Sequence, residues 1–317
     1  MPRATITVFG GSGFIGRHLI RRLAGAGWRV RVPCRSPQSA IHLKPMGDVG
    51  QIVLEKRDLR QDAELAECVV GSRAAVNLIG ILHESGRASF EAVQGELPGR
   101  IARAANDAGI ERVVHISAIG ADPHSPSAYA RSKALGEANL LAAFPQATVL
   151  RPSVVFGPED AFFNRFAALA RFAPALPLIG GGNTRFQPVF VGDVAAAIVA
   201  ALERDDAQGR VYELGGPRVL TFREVLEYIL RETGRRRFLV DLPFGVAKFQ
   251  GRLAEFLPEP PLTRDQVELL KTDNVVAPDA HTLSELGVAP TPIEAVVPDQ
   301  LRRYASPAKR LLSRRPA

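Results

Sequence analysis

Tyr129 and Lys133 stand four residues apart in the run Tyr129-Ala-Arg-Ser-Lys133. On a helix that spacing puts both side chains on one face. An ammonium beside a phenol favours the phenolate, so Tyr129 can act as a general acid or base near neutral pH. Twelve residues before the tyrosine, Ser117 ends the apolar run Arg112-Val-Val-His-Ile-Ser117, and its hydroxyl can hydrogen-bond a substrate oxygen. Together the three suit hydride transfer between a carbinol or carbonyl and a nicotinamide, with Lys133 also binding the nicotinamide ribose. Anchoring a cofactor without turning it over would require the same tyrosine and lysine.

A second set of residues fits the cofactor that such chemistry needs. Gly10, Gly13 and Gly16 follow the apolar stretch Ile6 to Phe9 and precede a segment with helical period. Such an arrangement gives a tight turn at Gly10, close backbone approach to a pyrophosphate at Gly13, and close helix packing at Gly16. Phe14 and Ile15, between the last two glycines, are expected against the same anion. The second strand ends Val32-Pro33-Cys34-Arg35, without the carboxylate that usually holds the ribose hydroxyls of NAD. Arg35 offers a planar, charge-assisted contact to a 2′-phosphate instead, so NADPH/NADP is favoured over NAD(H). Asp58 and Leu59, after the third strand, are expected near the adenine edge, and Asn77 to Gly80, after the fourth, beside the cofactor.

These residues require a βαβ frame. Strand, glycine turn, helix and strand occupy Thr5 to Arg35. Strands follow at 51–54, 74–79, 112–117 and 147–151, with helices at 63–69, 91–108 and 128–143 between them. Unbroken alternation over 150 residues gives a Rossmann-type, doubly wound α/β fold with a parallel sheet and ligands at its carboxyl edge. We read residues 1–155 as this NADP(H)-binding domain, with 186–202 returning to it. Residues 156–300 form a smaller C-terminal α/β lobe on the substrate or partner side, and 301–317 a basic flexible tail.

Composition narrows the alternatives. The 317 residues are 46% hydrophobic and 23% charged, enough for a sizeable core and far from the composition of disordered chains. Cys34 and Cys68 cannot form a disulfide framework, and neither they nor the histidines at 18, 42, 83, 115, 124 and 281 have metal-ligand spacing. No metal is expected. The formal charge of +7 includes six basic residues after position 300 and no acidic one there, leaving the first 300 residues at +1. That distribution, without basic stripes interleaved with aromatics, argues against nucleic acid and directs attention to a basic tail that can meet anionic lipid. No apolar run reaches the roughly 20 residues of a membrane-spanning helix, and from the residues after Met1 neither a signal peptide nor a transit-like leader is expected.

The glycine turn, Ser117, the Tyr129/Lys133 pair and Arg151-Pro-Ser-Val-Val-Phe-Gly157 resemble the extended or atypical short-chain dehydrogenase/reductases, a likeness that also puts Pro152 beside the cofactor. Three stretches are similar to one branch in particular: Asn77-Leu-Ile-Gly80, Phe156-Gly-Pro-Glu-Asp-Ala-Phe-Phe-Asn164 and Gln187-Pro-Val-Phe-Val-Gly-Asp193. That branch is the alpha-subcomplex subunit nine family of respiratory complex I, and Leu262-Thr-Arg-Asp-Gln-Val267 extends the likeness to roughly residues 4–300. The resemblance implies tight NADPH binding, complex I subunits as partners, and an accessory or assembly role in a cytoplasmic protein lying on the inner face of the energy-transducing membrane. The alternative is an active NADP-dependent oxidoreductase or epimerase acting on a lipophilic, quinone-like or sugar-nucleotide substrate.

Several features carry two readings. Residues 243–257 make an amphipathic helix for a membrane or partner surface, or one buried against its own lobe. Phe162, Phe163, Phe166 and Phe172 close an apolar pocket or build the lobe's core. Asp193 reads as a helix N-cap, His115 as packing near the cofactor, and Arg235-Arg236-Arg237 as a solvated helix end.

Overall fold

The computed structural model describes residues 3–257, 260–307 and 309. Along the chain run β1 (Arg3–Phe9), α1 (Phe14–Gly25), β2 (Trp28–Cys34), β3 (Ile52–Lys56), α2 (Asp62–Val69), β4 (Ser72–Asn77), α3 (Leu97–Asp107), β5 (Arg112–Ile116), α4 (Ala128–Ala143) and β6 (Thr148–Pro152). Short pieces follow: β7 (Val155–Phe156), α5 (Phe163–Phe172), β8 (Ala175–Ile179), β9 (Arg185–Phe186) and β10 (Val189–Phe190). Then come α6 (Val191–Glu203), β11 (Val211–Leu214), β12 (Leu220–Thr221), α7 (Phe222–Thr233), β13 (Phe238–Leu242), α8 (Phe244–Ala254), α9 (Arg264–Leu269) and α10 (Val297–Leu301).

Two compact units divide the chain. The first comprises residues up to Pro152 with Val191–Leu214 and Ala277–Ala289. Its seven-stranded sheet has the order β11-β6-β5-β4-β1-β2-β3, every neighbouring pair parallel. The expected doubly wound α/β fold is therefore present. The strands are short and apolar because helices cover both faces of such a sheet; Phe9, Ala75, Val113 and Val149 share one core cluster with Ile101, Ala102 and Leu140 of α3 and α4. α1 buries Gly16, Leu19, Ile20, Leu23 and Ala24, the i, i+3, i+4 stripe of a helix lying on a sheet.

The boundaries differ from the sequence reading. The first unit closes at Pro152 rather than 155, and the returning segment is 191–214, not 186–202. Phe186 to Phe190 stays in the second unit as two two-residue strands, β9 pairing antiparallel with β12 and β10 parallel with β7. Pro188 lies between them and has no N–H for a ladder. Asp193 is not an N-cap, since α6 begins at Val191 and the aspartate sits buried in its first turn. β11, which the sequence reading did not contain, adds an edge to the sheet beside β6.

The second unit packs α5, α7 and α10 around Phe156, Phe163, Phe186 and Phe222, with Phe162 and Phe166 against them. This aromatic group is the unit's own core, and Phe172 is exposed. α7 begins with a capping box between Thr221 and Glu224 and ends at Gly234 in the left-handed region, standard devices for satisfying helix ends. The arginines after it are only partly solvated: Arg235 Nε donates to Tyr304 O at 3.0 Å and Arg237 Nε to Ala170 O at 2.9 Å. The tail is likewise not wholly free, because Leu301 is buried, Arg303 donates to Asn164 Oδ1 at 2.8 Å and Lys309 to Arg231 O at 3.0 Å. Residues 308 and 310–317, with Arg310, Arg314 and Arg315, lie outside the described residues.

Candidate functional site

The candidate site lies at the carboxyl edge of the sheet in the first unit. β1 ends at Phe9, and Gly10 turns the chain with φ +74°, a conformation that costs a residue with a Cβ. Gly13 N donates to Gly10 O at 3.0 Å and caps α1 without any side-chain cap. The N–H groups of Phe14, Ile15 and Gly16 consequently have no acceptor within the helix and concentrate positive potential there. A Cβ on Gly16 would stand 2.3 Å from Gly11 O, so the helix can rest on the turn only with glycine at that position. The sequence alone predicted this cradle, and its geometry fits a pyrophosphate.

From β4, Asn77 is fully buried and arranges the next turn. Its Oδ1 accepts from Ile79 N at 3.1 Å, while Leu78 N donates to Phe9 O at 3.0 Å. Asn77 Nδ2 therefore faces His115 Nδ1, 3.2 Å away on β5, and donates to it. That bond places the ring proton on Nε2, which is buried and lacks a partner among the described residues. Burial and the nearby Lys133 charge push the His115 pKa down to about 3, so the imidazole is neutral. Gly80 carries the turn onward; a Cβ there would lie 3.2 Å from Gln94 Oε1 and 3.4 Å from Lys133 Nζ.

α4 carries the tyrosine and lysine, and spans Ala128–Ala143 as the spacing predicts. Ser127 caps it by accepting from Ala130 N at 3.2 Å. Its buried face includes Ser132, Lys133 and Glu137, an arrangement that hydrophobicity does not explain. Lys133 is 4% exposed, and Nζ donates to Ile116 O at 3.2 Å and lies 5.9 Å from the centre of the Tyr129 ring. Burial lowers its pKa to about 8, against the opposing pull of Glu137. Phe90 meets the Tyr129 ring edge-on with centroids 5.8 Å apart. Ser117, just past β5, is buried, and its Oγ has no hydrogen-bond partner among the described residues. An orphaned hydroxyl costs free energy unless a ligand completes it, which fits a group that receives a substrate oxygen.

Supporting residues escaped the sequence reading. Gln94, in a π-helical turn before α3, accepts from Ile81 N at 3.2 Å and donates to Ser132 Oγ at 3.1 Å, tying the Gly80 turn to α4. π-turns often mark functional sites, and 91–108 reads as one plain helix in sequence. Glu137 is held by Arg151 of β6 at 2.9 and 2.6 Å, and Arg151 also lies 3.7 Å from Glu213 of β11. Arg35 follows β2 directly and is exposed, with no ion-pair partner among the described residues. Asp58 is clamped by Arg60, while Leu59 lies in the turn after it. Pro152 is buried at the end of β6, its carbonyl accepting from Ile119 N at 3.1 Å. No cluster of His, Cys, Asp or Glu able to hold a metal occurs among the described residues.

Sheet order, glycine cradle and the Ser117, Tyr129 and Lys133 positions define a Rossmann-type protein of the short-chain dehydrogenase/reductase kind. The sequence profile of the NAD dependent epimerase/dehydratase family matches residues 6–215. The chain is 39% identical over 313 residues to the NADH dehydrogenase [ubiquinone] 1 alpha subcomplex subunit 9, mitochondrial, of Arabidopsis thaliana, covering 94% of this chain and 77% of the relative. It is 38% identical over 301 residues to the Mus musculus protein of the same name, covering 94% and 80%. This chain belongs to the alpha subcomplex subunit 9 family, within the NAD dependent epimerase/dehydratases. It is also 32% identical over 198 residues to a ceramide reductase of Caulobacter vibrioides, covering 62% of this chain and 61% of that one. Among solved structures, MoeE5 in complex with UDP-glucose and NAD has the same fold, with TM-score 0.71 at 19% identity over 97% of this chain and 99% of that one.

Proposed function

We propose that the chain holds NADP(H) in its first unit and serves as an accessory or assembly subunit of a respiratory NADH:quinone oxidoreductase, peripheral on the inner, cytoplasmic face of the energy-transducing membrane. The observation that carries this reading is the match to the subunit 9 proteins over 94% of the chain, which spans both units rather than the nucleotide-binding half alone. The glycine cradle would hold the pyrophosphate, Arg35 the 2′-phosphate, Lys133 and Tyr129 the nicotinamide ribose. A peripheral position is supported by the second unit, where Phe172, Phe238, Phe249 and Phe256 are each more than 60% exposed beside Arg171, Lys248 and Arg252; apolar groups flanked by cations suit an anionic lipid surface. No helix among the described residues is long and apolar enough to cross a membrane.

A second reading is an active reductase on a lipophilic substrate. Ser117, Tyr129 and Lys133 are all present, and one relative is named a ceramide reductase. In such a reaction the bound nicotinamide supplies or accepts hydride. Tyr129 transfers the proton of the substrate oxygen, Ser117 Oγ hydrogen-bonds that oxygen, and Lys133 favours the phenolate. The sugar-nucleotide structures share the fold alone at this identity.

The test uses the protein as purified. Nucleotide released by denaturation is identified, and bound NADPH is challenged with quinones, aldehydes and long-chain ketones. Stoichiometric NADPH that neither exchanges nor oxidises, with co-purification of NADH:quinone oxidoreductase subunits, is the expected outcome. Rapid exchange with substrate-dependent oxidation would establish the reductase, and a chain that binds no dinucleotide would overturn both readings.

A further inference from the structure

The adenosine end of the candidate site has an unusual charge arrangement. β2 and β3 are paired in parallel to their ends, Cys34 opposite Lys56, and Arg57 N donates to Cys34 O at 3.0 Å. Arg35 and Asp58 therefore leave adjacent strand ends. Around them three carboxylates are paired: Glu55 with Arg31 and Arg57, at 3.2 and 3.4 Å, Glu67 with Arg57 at 2.8 Å, and Asp62 with Arg100 at 2.7 Å; Glu64 has no cation partner among the described residues. Asp58 is bound most completely. Arg60 Nε donates to its Oδ1 at 2.8 Å, Nη2 to Oδ2 at 2.6 Å, and the Arg60 backbone N–H to Oδ1 at 3.2 Å.

The clamp is itself held. Asp58 N donates to Glu64 Oε2 at 2.7 Å, and the Arg60 carbonyl accepts from Arg100 Nη2 at 2.9 Å. A two-point guanidinium fork gives this pair a geometry that a lysine cannot reproduce, and it holds the Asp58 carboxyl well below the usual carboxylate range. Arg35 and Lys56 have no ion-pair partner among the described residues. The corner thus holds two cations without ion-pair partners, an ion-paired aspartate, and one carboxylate, Glu64, that accepts from the Asp58 backbone N–H.

We propose that Arg60 is a specificity-determining residue: by neutralising Asp58 it removes the carboxylate charge that would repel a 2′-phosphate at Arg35. The inference rests on the NADP(H) reading above and adds to it a residue that need not touch the cofactor. Freed from Arg60, Asp58 would bring to the adenosine end a negative charge of the kind whose absence at the end of β2 favours NADP(H).

The probes are 2′,5′-ADP and 5′-ADP, with NADPH and NADH as full-length ligands, binding read by calorimetry at low salt. Arg60→Met is expected to lower the preference for 2′,5′-ADP by about fivefold, the order of effect that one unit charge exerts on a nearby phosphate dianion in water. Asp58→Asn/Arg60→Met is expected to restore the preference, and Arg60→Lys, which keeps the charge, to retain most of it. Added salt should shrink the difference. Both side chains are at the surface, and unchanged circular dichroism spectra would confirm that each variant folds. An unchanged preference in Arg60→Met, or no restoration in the double variant, overturns the role of Arg60 while leaving the cofactor reading intact. A wild-type protein without preference for the 2′-phosphate rejects the NADP(H) reading and this inference with it.

Discussion

Replacing Lys133 with methionine should stabilise the protein while removing its hold on the nicotinamide ribose. The side chain is 4% exposed, and among the described residues its ammonium donates one hydrogen bond, to Ile116 O. Glu137, whose charge partly compensates the ammonium, is already bound by Arg151. Burial takes the lysine from 10.5 to about 8, and at 1.36 kcal/mol per pKa unit this is a charge-burial cost on the order of 3 kcal/mol. Methionine has similar length and no charge, so Lys133→Met at pH 7 should gain up to that amount, a rise of roughly 5 °C in Tm for a chain of this size.

The pH dependence has a definite sign. Below pH 8 both folded and unfolded chains keep the lysine proton, and the cost is present in full. Between about 8 and 10.5 the folded chain gives up its proton first, the unfolded state binds more protons, and wild-type stability rises relative to the variant. Thermal unfolding of both nucleotide-free proteins from pH 6.5 to 10.5 reads this directly. The gap should be widest below pH 8 and close towards pH 10.5. A variant that is less stable at pH 7, or a gap that does not change with pH, would refute the argument that Lys133 is an uncompensated buried cation.

Arg35→Asp should reverse the preference for NADPH over NADH, measured by fluorescence titration; identical preferences before and after would remove Arg35 from the 2′-phosphate site. Tyr129→Phe should leave nucleotide retention nearly intact and abolish whatever turnover the wild type shows, so persistent turnover would show that the phenol transfers no proton. Gly136→Ala should lower stability by about 2 kcal/mol or more, because a Cβ there would stand 1.9 Å from Gln94 O; α4 would have to back away from the π-turn, and nucleotide affinity should fall with Tm. Wild-type stability and affinity in that variant would mean that the close packing under α4 is dispensable.

What sequence revealed about the site is local. A glycine turn between strand and helix, and two residues at i and i+4, are set by backbone geometry over a few residues, and each therefore leaves a spacing that can be read. The residues that tune the site are held by long-range contacts. Arg151, Glu137 and Glu213 come from β6, α4 and β11. Asn77 and His115 are 38 residues apart, as are Gln94 and Ser132. No short spacing announces such pairs.

By itself the sequence determined the alternating βαβ order, the parallel sheet, the glycine turn before α1 and the placing of Ser117, Tyr129 and Lys133 at one sheet edge, because periodicity and glycine content specify these step by step. Only the tertiary structure decided where the chain returns to the first unit. β11 is four residues long, with Val211 only half-buried at the sheet edge, and becomes a strand through pairing with β6. Residues 277–289 join that unit through a backbone bond from Glu213 N to His281 O at 2.8 Å and through Ala277 N, which donates to the Glu213 side chain at 2.9 Å. The charge of Lys133 was decided there too. Its sequence neighbours allow an ordinary solvated lysine, and it is the packing of α4 against the Gly80 turn and the π-turn that excludes water from the ammonium and lowers its proton affinity.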